Sequence, residues 1–333
     1  MTASMHLGRA VQWPYRTGKM HRNARKYFAG LGLPYPSVRI AHSDTVKTPY
    51  EMHLIRDADR LDVLVDLRAF RETSHSMKHR ACAYWHWFAQ APNVPHIICD
   101  VSDGHRSGFA RFAYSTFRED VVPLPDFYFF RDRGYADSDA IGAAAPDWDD
   151  RSDDIIWRGR PNSQGLFTTD PAMARTPGVM QRLRMAMLCA ELDGVDFRFV
   201  GGRDTIMQAE LEAAGLIGDP VPQDSWAGRK YAIDIDGVTN AWDNLLRRLK
   251  MGCCVLKVDS PFGFRQWYYD QLVPFEHFVP IRADLSDLEA QVDWVRSNPA
   301  EAREIARAGQ SVARALTFES ETAAAGRLIE THA

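Results

Sequence analysis

Apolar residues in this chain come in short runs that alternate with longer stretches of helical period. Leu61–Leu67 (LDVLVDL) and Pro95–Asp100 (PHIICD) read as strands, and Phe109–Ser115 (FARFAYS) as a third. Between the first two, Ser76–Gln90 predicts a helix rich in aromatics and histidine. The second half is more regular. Strands are expected at Ile155–Arg158, Asp196–Gly201, Tyr231–Ile235, Cys253–Val258 and His277–Ile281. Helices are expected at Gly178–Leu192, Thr205–Ala214 and Asn240–Met251. Near the end, Asn298-Pro299-Ala300-Glu301 has the pattern of a helix start, and Ile305, Val312 and Leu316 continue it as an apolar stripe. Strands that alternate with helices predict a parallel sheet.

Between the halves, residues 131–154 (RDRGYADSDAIGAAAPDWDDRSDD) are acidic and rich in small residues, as a linker would be. The chain of 333 residues suits two α/β domains, 1–150 and 151–333. A net charge of −4 excludes a global nucleic-acid footprint. Five cysteines, Cys82, Cys99, Cys189, Cys253 and Cys254, are odd in number and irregularly spaced, which indicates reduced core thiols. No signal-type apolar core opens the chain, and no apolar run approaches membrane-spanning length, so a cytoplasmic location is expected. Residues 9–26 carry Arg9, Arg16, Lys19, Arg22, Arg25 and Lys26, with Trp13 and Tyr15 between them. That is either a solvated helix face or a contact with an anionic membrane surface or acceptor, and Pro14 argues against one long helix lying on a membrane.

The richest stretch is Lys230–Pro280. A strand meets Gly237 at its carboxyl end, and a helix is expected to open just beyond, at Gly237-Val238-Thr239-Asn240-Ala241-Trp242. Such a turn offers N–H groups and partial positive charge to an anion, which suggests a phosphate-bearing ligand. Arg158-Gly159-Arg160 ends another strand with two guanidinium groups, each suited to phosphate oxygens unless it pairs with Asp150, Asp153 or Asp154. Three weaker signals accompany these. The Gly201-Gly202 pair could admit a nucleotide, Trp267-Tyr268-Tyr269 could stack on a ring, and Asp234-x-Asp236 resembles a metal-binding carboxylate pair. Turn formation, packing and strand alternation explain them equally well, and no metal is expected. No GxGxxG turn with a distant acid supports a dehydrogenase.

The order KY–DG–helix–G–VLKVDS–WYYDQL–P–HFVPI–DLSDL resembles glycosyltransferase family 90 over about residues 96–310. That family includes fungal capsule-associated proteins, animal protein O-glucosyl- and O-xylosyltransferases, and bacterial lipopolysaccharide glycosyltransferases. The resemblance implies a GT-B type fold, two Rossmann-like domains facing a central cleft that holds the ligand. The first would face the acceptor and the second would bind the nucleotide sugar. It implies an inverting, metal-independent transferase that moves a glucose- or xylose-class sugar from a UDP-sugar to a hydroxyl of a lipopolysaccharide or capsule glycan. No cofactor beyond the donor is implied. The absence of a leader favours the bacterial branch, cytoplasmic or peripheral at the inner membrane. Asp103, in the loop after strand Pro95–Asp100, overlays the family's proposed general base, with Asp100 and His105 as local competitors and a turn-capping role as the plain alternative. Arg158, Gly159, Arg160 and residues 237–242 would hold the diphosphate. This chain lacks one residue between Gly159 and Arg160, which leaves the choice of arginine open. It also has Trp242-Asp243-Asn244 where eukaryotic members often have Ser-aromatic-Arg. A non-catalytic nucleotide- or glycan-binding protein on the same fold is the alternative.

Overall fold

The computed structural model describes residues 2–73, 75–104 and 106–333. The chain forms two compact units, one of Met1–Gly134 with Thr317–Ala333 and one of Tyr135–Leu316. Both are α/β, in line with the class read from the alternation.

The first unit holds β1 (Val38–His42), β2 (Glu51–Asp57), β3 (Arg60–Val65), β4 (His96–Asp100), β5 (Phe112–Ala113) and β6 (Val122–Pro123). They lie in the order β1-β3-β2-β4-β5-β6. This sheet is mixed, because β2 runs antiparallel to both neighbours while the other pairs are parallel. Only Ala58 and Asp59 join β2 to β3, with Ala58 at φ 49°. So short a link can only fold a strand back on its neighbour. The helices are α1 (Thr2–Gly30), α2 (Ala69–Glu72), α3 (Ala81–Ala89) and α4 (Phe127–Arg131). Helix α1 runs on through Pro14 and buries Met20, Ala24 and Phe28 at four-residue spacing. The helix expected over Ser76–Gln90 is a π-helical turn, Ser76–Arg80, followed by α3. Tyr84, Trp85 and Trp87 of α3 are fully buried, and the Tyr84 hydroxyl donates to the Asp100 carbonyl at 2.7 Å.

The second unit contains α5 (Ala136–Ala143), β7 (Ser152–Gly159), α6 (Gln181–Cys189), β8 (Val195–Phe199), α7 (Thr205–Ala213), β9 (Arg229–Asp234), α8 (Asn244–Lys250), β10 (Cys254–Val258), β11 (Val279–Ile281), α9 (Leu288–Ser297) and α10 (Pro299–Ala315). Its sheet is parallel throughout, ordered β11-β10-β9-β7-β8. Trp157 of β7 stacks on Phe197 of β8 with centroids 4.1 Å apart, and Ile233 and Ile235 continue that apolar layer towards α6. All five cysteines are buried and unpaired with one another.

The acidic stretch expected as a linker is folded instead. It supplies α5, whose Asp137 pairs with Arg247 at 2.8 Å and whose Asp139 pairs with the buried Lys250 ammonium at 2.8 Å. The acids are there to neutralise cations on α8. The division therefore falls at Gly134/Tyr135 and not at 150/151, and the last helix, α11 (Phe318–His332), returns to the first unit. There Phe318 stacks on His86 of α3 at 5.5 Å. A reciprocal cap starts α11: Ser320 N–H donates to the Thr317 hydroxyl and Thr317 N–H to the Ser320 hydroxyl, each at 3.0 Å. Thr317→Ala should cost about 1 kcal/mol. Urea unfolding would report it, with faster hydrogen exchange confined to α11 and the α3 face beneath it.

Candidate active site

In chain order the second sheet runs 2-1-3-4-5, so β7 and β9 are neighbours whose onward connections leave in opposite directions. Ligands of open α/β sheets lodge outside the carboxyl ends of the strands at such a point. The two segments singled out for phosphate stand on either side of it: Arg158-Gly159-Arg160 closes β7 and Gly237 follows β9.

The two arginines differ in availability. Arg158 is consumed by its own unit. It donates to the carbonyls of Trp157, Asp196 and Asp219 at 2.9 Å each and to the Asp196 carboxylate at 2.5 Å. Arg160 is exposed, and among the described residues its guanidinium makes one hydrogen bond, to the Gly202 carbonyl at 3.1 Å. That contact rests it on the Gly201-Gly202 turn, where Gly201 has φ 127°. Gly159 is dictated by packing, because a Cβ there would lie 2.5 Å from the Trp157 indole.

Residues 237–242 do not open a helix. Helix α8 starts at Asn244, and the preceding segment is a folded loop. Gly237 N–H donates to the Asn240 carbonyl at 3.1 Å, and the Asn240 side chain accepts from Trp242 N–H at 2.5 Å. Trp242 sits at φ 53°, a left-handed conformation that breaks the helical path. Thr239 and Asn240 are buried, and Gln164 donates to the Val238 carbonyl at 2.7 Å. The anion-binding groups expected of a helix start are thus loop groups, held by side chains.

Beneath both segments lies Arg182 of α6, which sequence reading passed over. Its guanidinium sits over the Trp157 ring, 5.1 Å from the centroid. It donates to the Arg160 carbonyl at 2.9 Å and the Ile235 carbonyl at 2.8 Å. Burial lowers its pKa to about 10, so it remains a cation at neutral pH. A clue was present in GVMQRLRMAM, where arginines fall within an otherwise apolar helical stretch.

At the end of β9 and just past it, Asp234 and Asp236 are buried, and both help to hold the Arg182 charge. Asp234 accepts from Asn244 at 2.8 Å and has the Lys257 ammonium at 3.8 Å, and Lys257 lies over the Tyr269 ring. This Asp-x-Asp pair has a protein cation as its partner. Among the described residues no group of three or more His, Cys, Asp or Glu gathers as metal ligands. Burial pushes Asp236 up to about 6, against the pull of Lys257 and Ser260. Tyr268 is fully buried and serves packing, while Trp267 and Tyr269 are partly exposed.

In the first unit, the loop after β4 is organised by Asp100. Its carboxylate accepts from the N–H groups of Ser102, Arg106 and Ser107 at 2.7, 3.2 and 2.9 Å. Burial raises its pKa, and these bonds pull it back down. Asp100 is therefore an anchor and is spent as a base. Ser107 also donates to Glu51 on β2, tying the loop to the sheet. Gly104 has φ 88°, and a Cβ there would lie 1.6 Å from the Ser115 carbonyl oxygen, so only glycine fits. The loop so held presents Asp103 partly exposed, paired at 2.5 Å with the buried Arg80 from the π-helical turn. His105 lies outside the described residues.

The model of the family described as Glycosyl transferase family 90 matches residues 136–322. Protein O-glucosyltransferase 2 of Danio rerio is 30% identical over 174 residues, 52% of this chain and 31% of that protein. Protein O-glucosyltransferase 3 of Homo sapiens is 41% identical over 88 residues, 26% of this chain and 17% of that protein. An uncharacterized protein 027R of Frog virus 3 is 30% identical over 179 residues, 49% of this chain and 18% of that protein. The chain thus spans less than a third of the length of these relatives. Among solved structures, Anabaena HepE in complex with UDP-glucose superposes with a TM-score of 0.36 at 9% identity, over 54% of this chain and 49% of that one. A score that low decides nothing about this chain.

The raised Asp236 has a consequence for stability. Between its ordinary value of 3.8 and about 6, the folded state binds more protons than the unfolded state, so stability falls as pH rises through that window. Two pH units correspond to about 3 kcal/mol at most. Asp236→Asn should therefore be more stable than wild type at pH 7.5 and gain nothing at pH 4. Denaturant midpoints at both pH values, with the wild-type slope between them flattened in the variant, check this.

Proposed function

The chain belongs to glycosyltransferase family 90, and from that premise we propose that it transfers a glucose-class sugar from a UDP-sugar to a hydroxyl of a glycan acceptor. The observation that carries this reading is a coincidence of boundaries. The family match, residues 136–322, falls almost wholly on the second compact unit, 135–316. The switch point of that unit's sheet has Arg160 on one side and the Gly237–Trp242 loop on the other. The vertebrate relatives are named as O-glucosyltransferases, which favours glucose over xylose as the sugar. The acceptor we propose is lipopolysaccharide or capsule glycan of a bacterial cytoplasm, with no metal and no cofactor beyond the donor.

In this reading the reaction is a single displacement with inversion. The acceptor oxygen attacks the anomeric carbon, the bond to the diphosphate breaks, and Asp103 takes the acceptor proton. The departing UDP keeps the electron pair and meets Arg160 and the 237–242 loop. Arg158 drops out of the proposed contacts because Asp196 and three carbonyls already occupy its guanidinium. The second unit would be the nucleotide-sugar domain and the first the acceptor domain. One observation favours the non-catalytic alternative: the Asp103 carboxylate already has Arg80 as a partner.

A donor screen tests this reading. UDP and one UDP-sugar should raise the melting temperature with or without EDTA, while GDP-mannose should not. Asp103→Asn should lower transfer at least ~10²-fold with donor affinity unchanged. Wild-type turnover in that variant removes Asp103 from the mechanism. Donor binding with no turnover on any acceptor selects the non-catalytic alternative.

We also propose peripheral contact with an anionic membrane through α1. The first 43 residues contain seven Lys and Arg and no Asp or Glu, although the whole chain is net negative. Lys19, Arg22, Arg25 and Lys26 are exposed on the face away from Met20, Ala24 and Phe28, and Tyr15 is 70% exposed. Besides burial, the field of Lys19 and Arg16 pulls down the pKa of Lys78 on the π-helical turn. No helix among the described residues is long and apolar enough to cross a membrane. Changing Lys19, Arg22, Arg25 and Lys26 to Gln should reduce binding to phosphatidylglycerol vesicles by about 10³-fold, roughly 1 kcal/mol per charge. Sedimentation with neutral vesicles should show no binding for either protein, and equal binding of both to anionic vesicles would refute the contact.

A further inference from the structure

We infer that Arg182 is a positioning residue for the donor diphosphate, a buried peg that sets the spacing of the two loops on either side of the switch point. This rests on the donor reading above.

Where β7 and β9 end, their chains part, and their next carbonyls lose the sheet partners they would have in a longer ladder. The Arg160 carbonyl lies one residue past β7 and the Ile235 carbonyl one residue past β9. Arg182 takes both with one guanidinium, at 2.9 and 2.8 Å. The fork is planar and rigid, so the two carbonyls are held at a fixed separation. Only a guanidinium offers two diverging donors at that span. An ammonium carries the charge but not the fork.

Three further features place Arg182 under the loop. A Cβ on Gly237 would lie 3.4 Å from an Arg182 terminal nitrogen and 3.0 Å from the Asn162 carbonyl oxygen, so the turn rests on the guanidinium. Trp157 lies against the guanidinium and limits its drift. The Arg182 Nε has no acceptor among the described residues. A buried cation with an unsatisfied donor is costly to keep. Asp236 and Asp234 offset part of that cost, and an apolar residue here would leave the Arg160 and Ile235 carbonyls without this donor. What Arg182 supplies is a fixed positive charge directly below the loop proposed to receive a diphosphate, and a locked distance between that loop and Arg160. Misplacing such groups by about 1 Å can cost on the order of 10²-fold in a reaction that depends on them.

The test compares UDP with uridine, by calorimetry, in wild type, Arg182→Gln and Arg182→Lys. Uridine lacks the phosphates and reports the rest of the site. In Arg182→Gln, the Kd for UDP should rise at least tenfold while that for uridine stays within twofold. Arg182→Lys should fall between wild type and the Gln variant, because charge returns without the bridge. Equal weakening of UDP and uridine marks a merely structural residue and overturns the inference, as does an unchanged UDP affinity in a folded Gln variant. If the Gln variant does not fold, Arg182→Lys decides: a selective loss for UDP supports the inference, and wild-type UDP affinity overturns it. A wild-type protein that binds neither ligand overturns the donor reading itself.

Discussion

The second unit is organised around the parting of β7 and β9. A parallel sheet can bond its strands to one another only where they run side by side. At a topological switch point the chain leaves in two directions, and the backbone groups at the edge need other partners. Here Arg182 supplies them from α6, and the layer of Trp157, Phe197, Ile233 and Ile235 carries α6 at the right height. The loops that could meet a ligand are therefore supported from below by a charge, and by close packing at Gly159 and Gly237. Substituents at either glycine would run into Trp157, Asn162 or Arg182.

Charge burial recurs as a device in both units. Asp100 in the first unit holds three N–H groups of its own loop, and Arg80 holds Asp103 beside it. In the second unit Asp234 faces Asn244 and Lys257, while Arg247 and Lys250 of α8 are neutralised by α5. Such pairs add little net stability once desolvation is counted, but a partner left alone is expensive. They define one arrangement of each loop against its competitors. The exposed positive face of α1 is a different case, because its charges are solvated and face outward.

Elements made by local pattern were legible in the sequence. The second-unit strands and helices fall within a few residues of where apolar periodicity puts them, and the buried, unpaired cysteines follow from their number and surroundings. The mixed first sheet was not legible. Strands β1 (VRIAH) and β2 (EMHLIRD) carry several charged and histidine residues, and the antiparallel return of β3 on β2 is set by a two-residue link. The acidic stretch 131–154 misled for a related reason. Composition alone cannot tell a solvated acid from one that neutralises a buried cation more than a hundred residues away.

The sequence by itself determined the α/β class, the family and the positions of glycine at the ends of β7 and β9, because these depend on residue order and on contacts within one turn. Tertiary structure decided which of those residues are available. It turned Arg158 inward to Asp196 and left Arg160 exposed. It ended the 237–242 segment as a loop because Trp242 leaves the helical path. It brought Arg182, more than fifty residues from Ile235 in the chain, beneath the site. Availability is a property of partners, and partners distant in sequence are assigned only when the sheet closes.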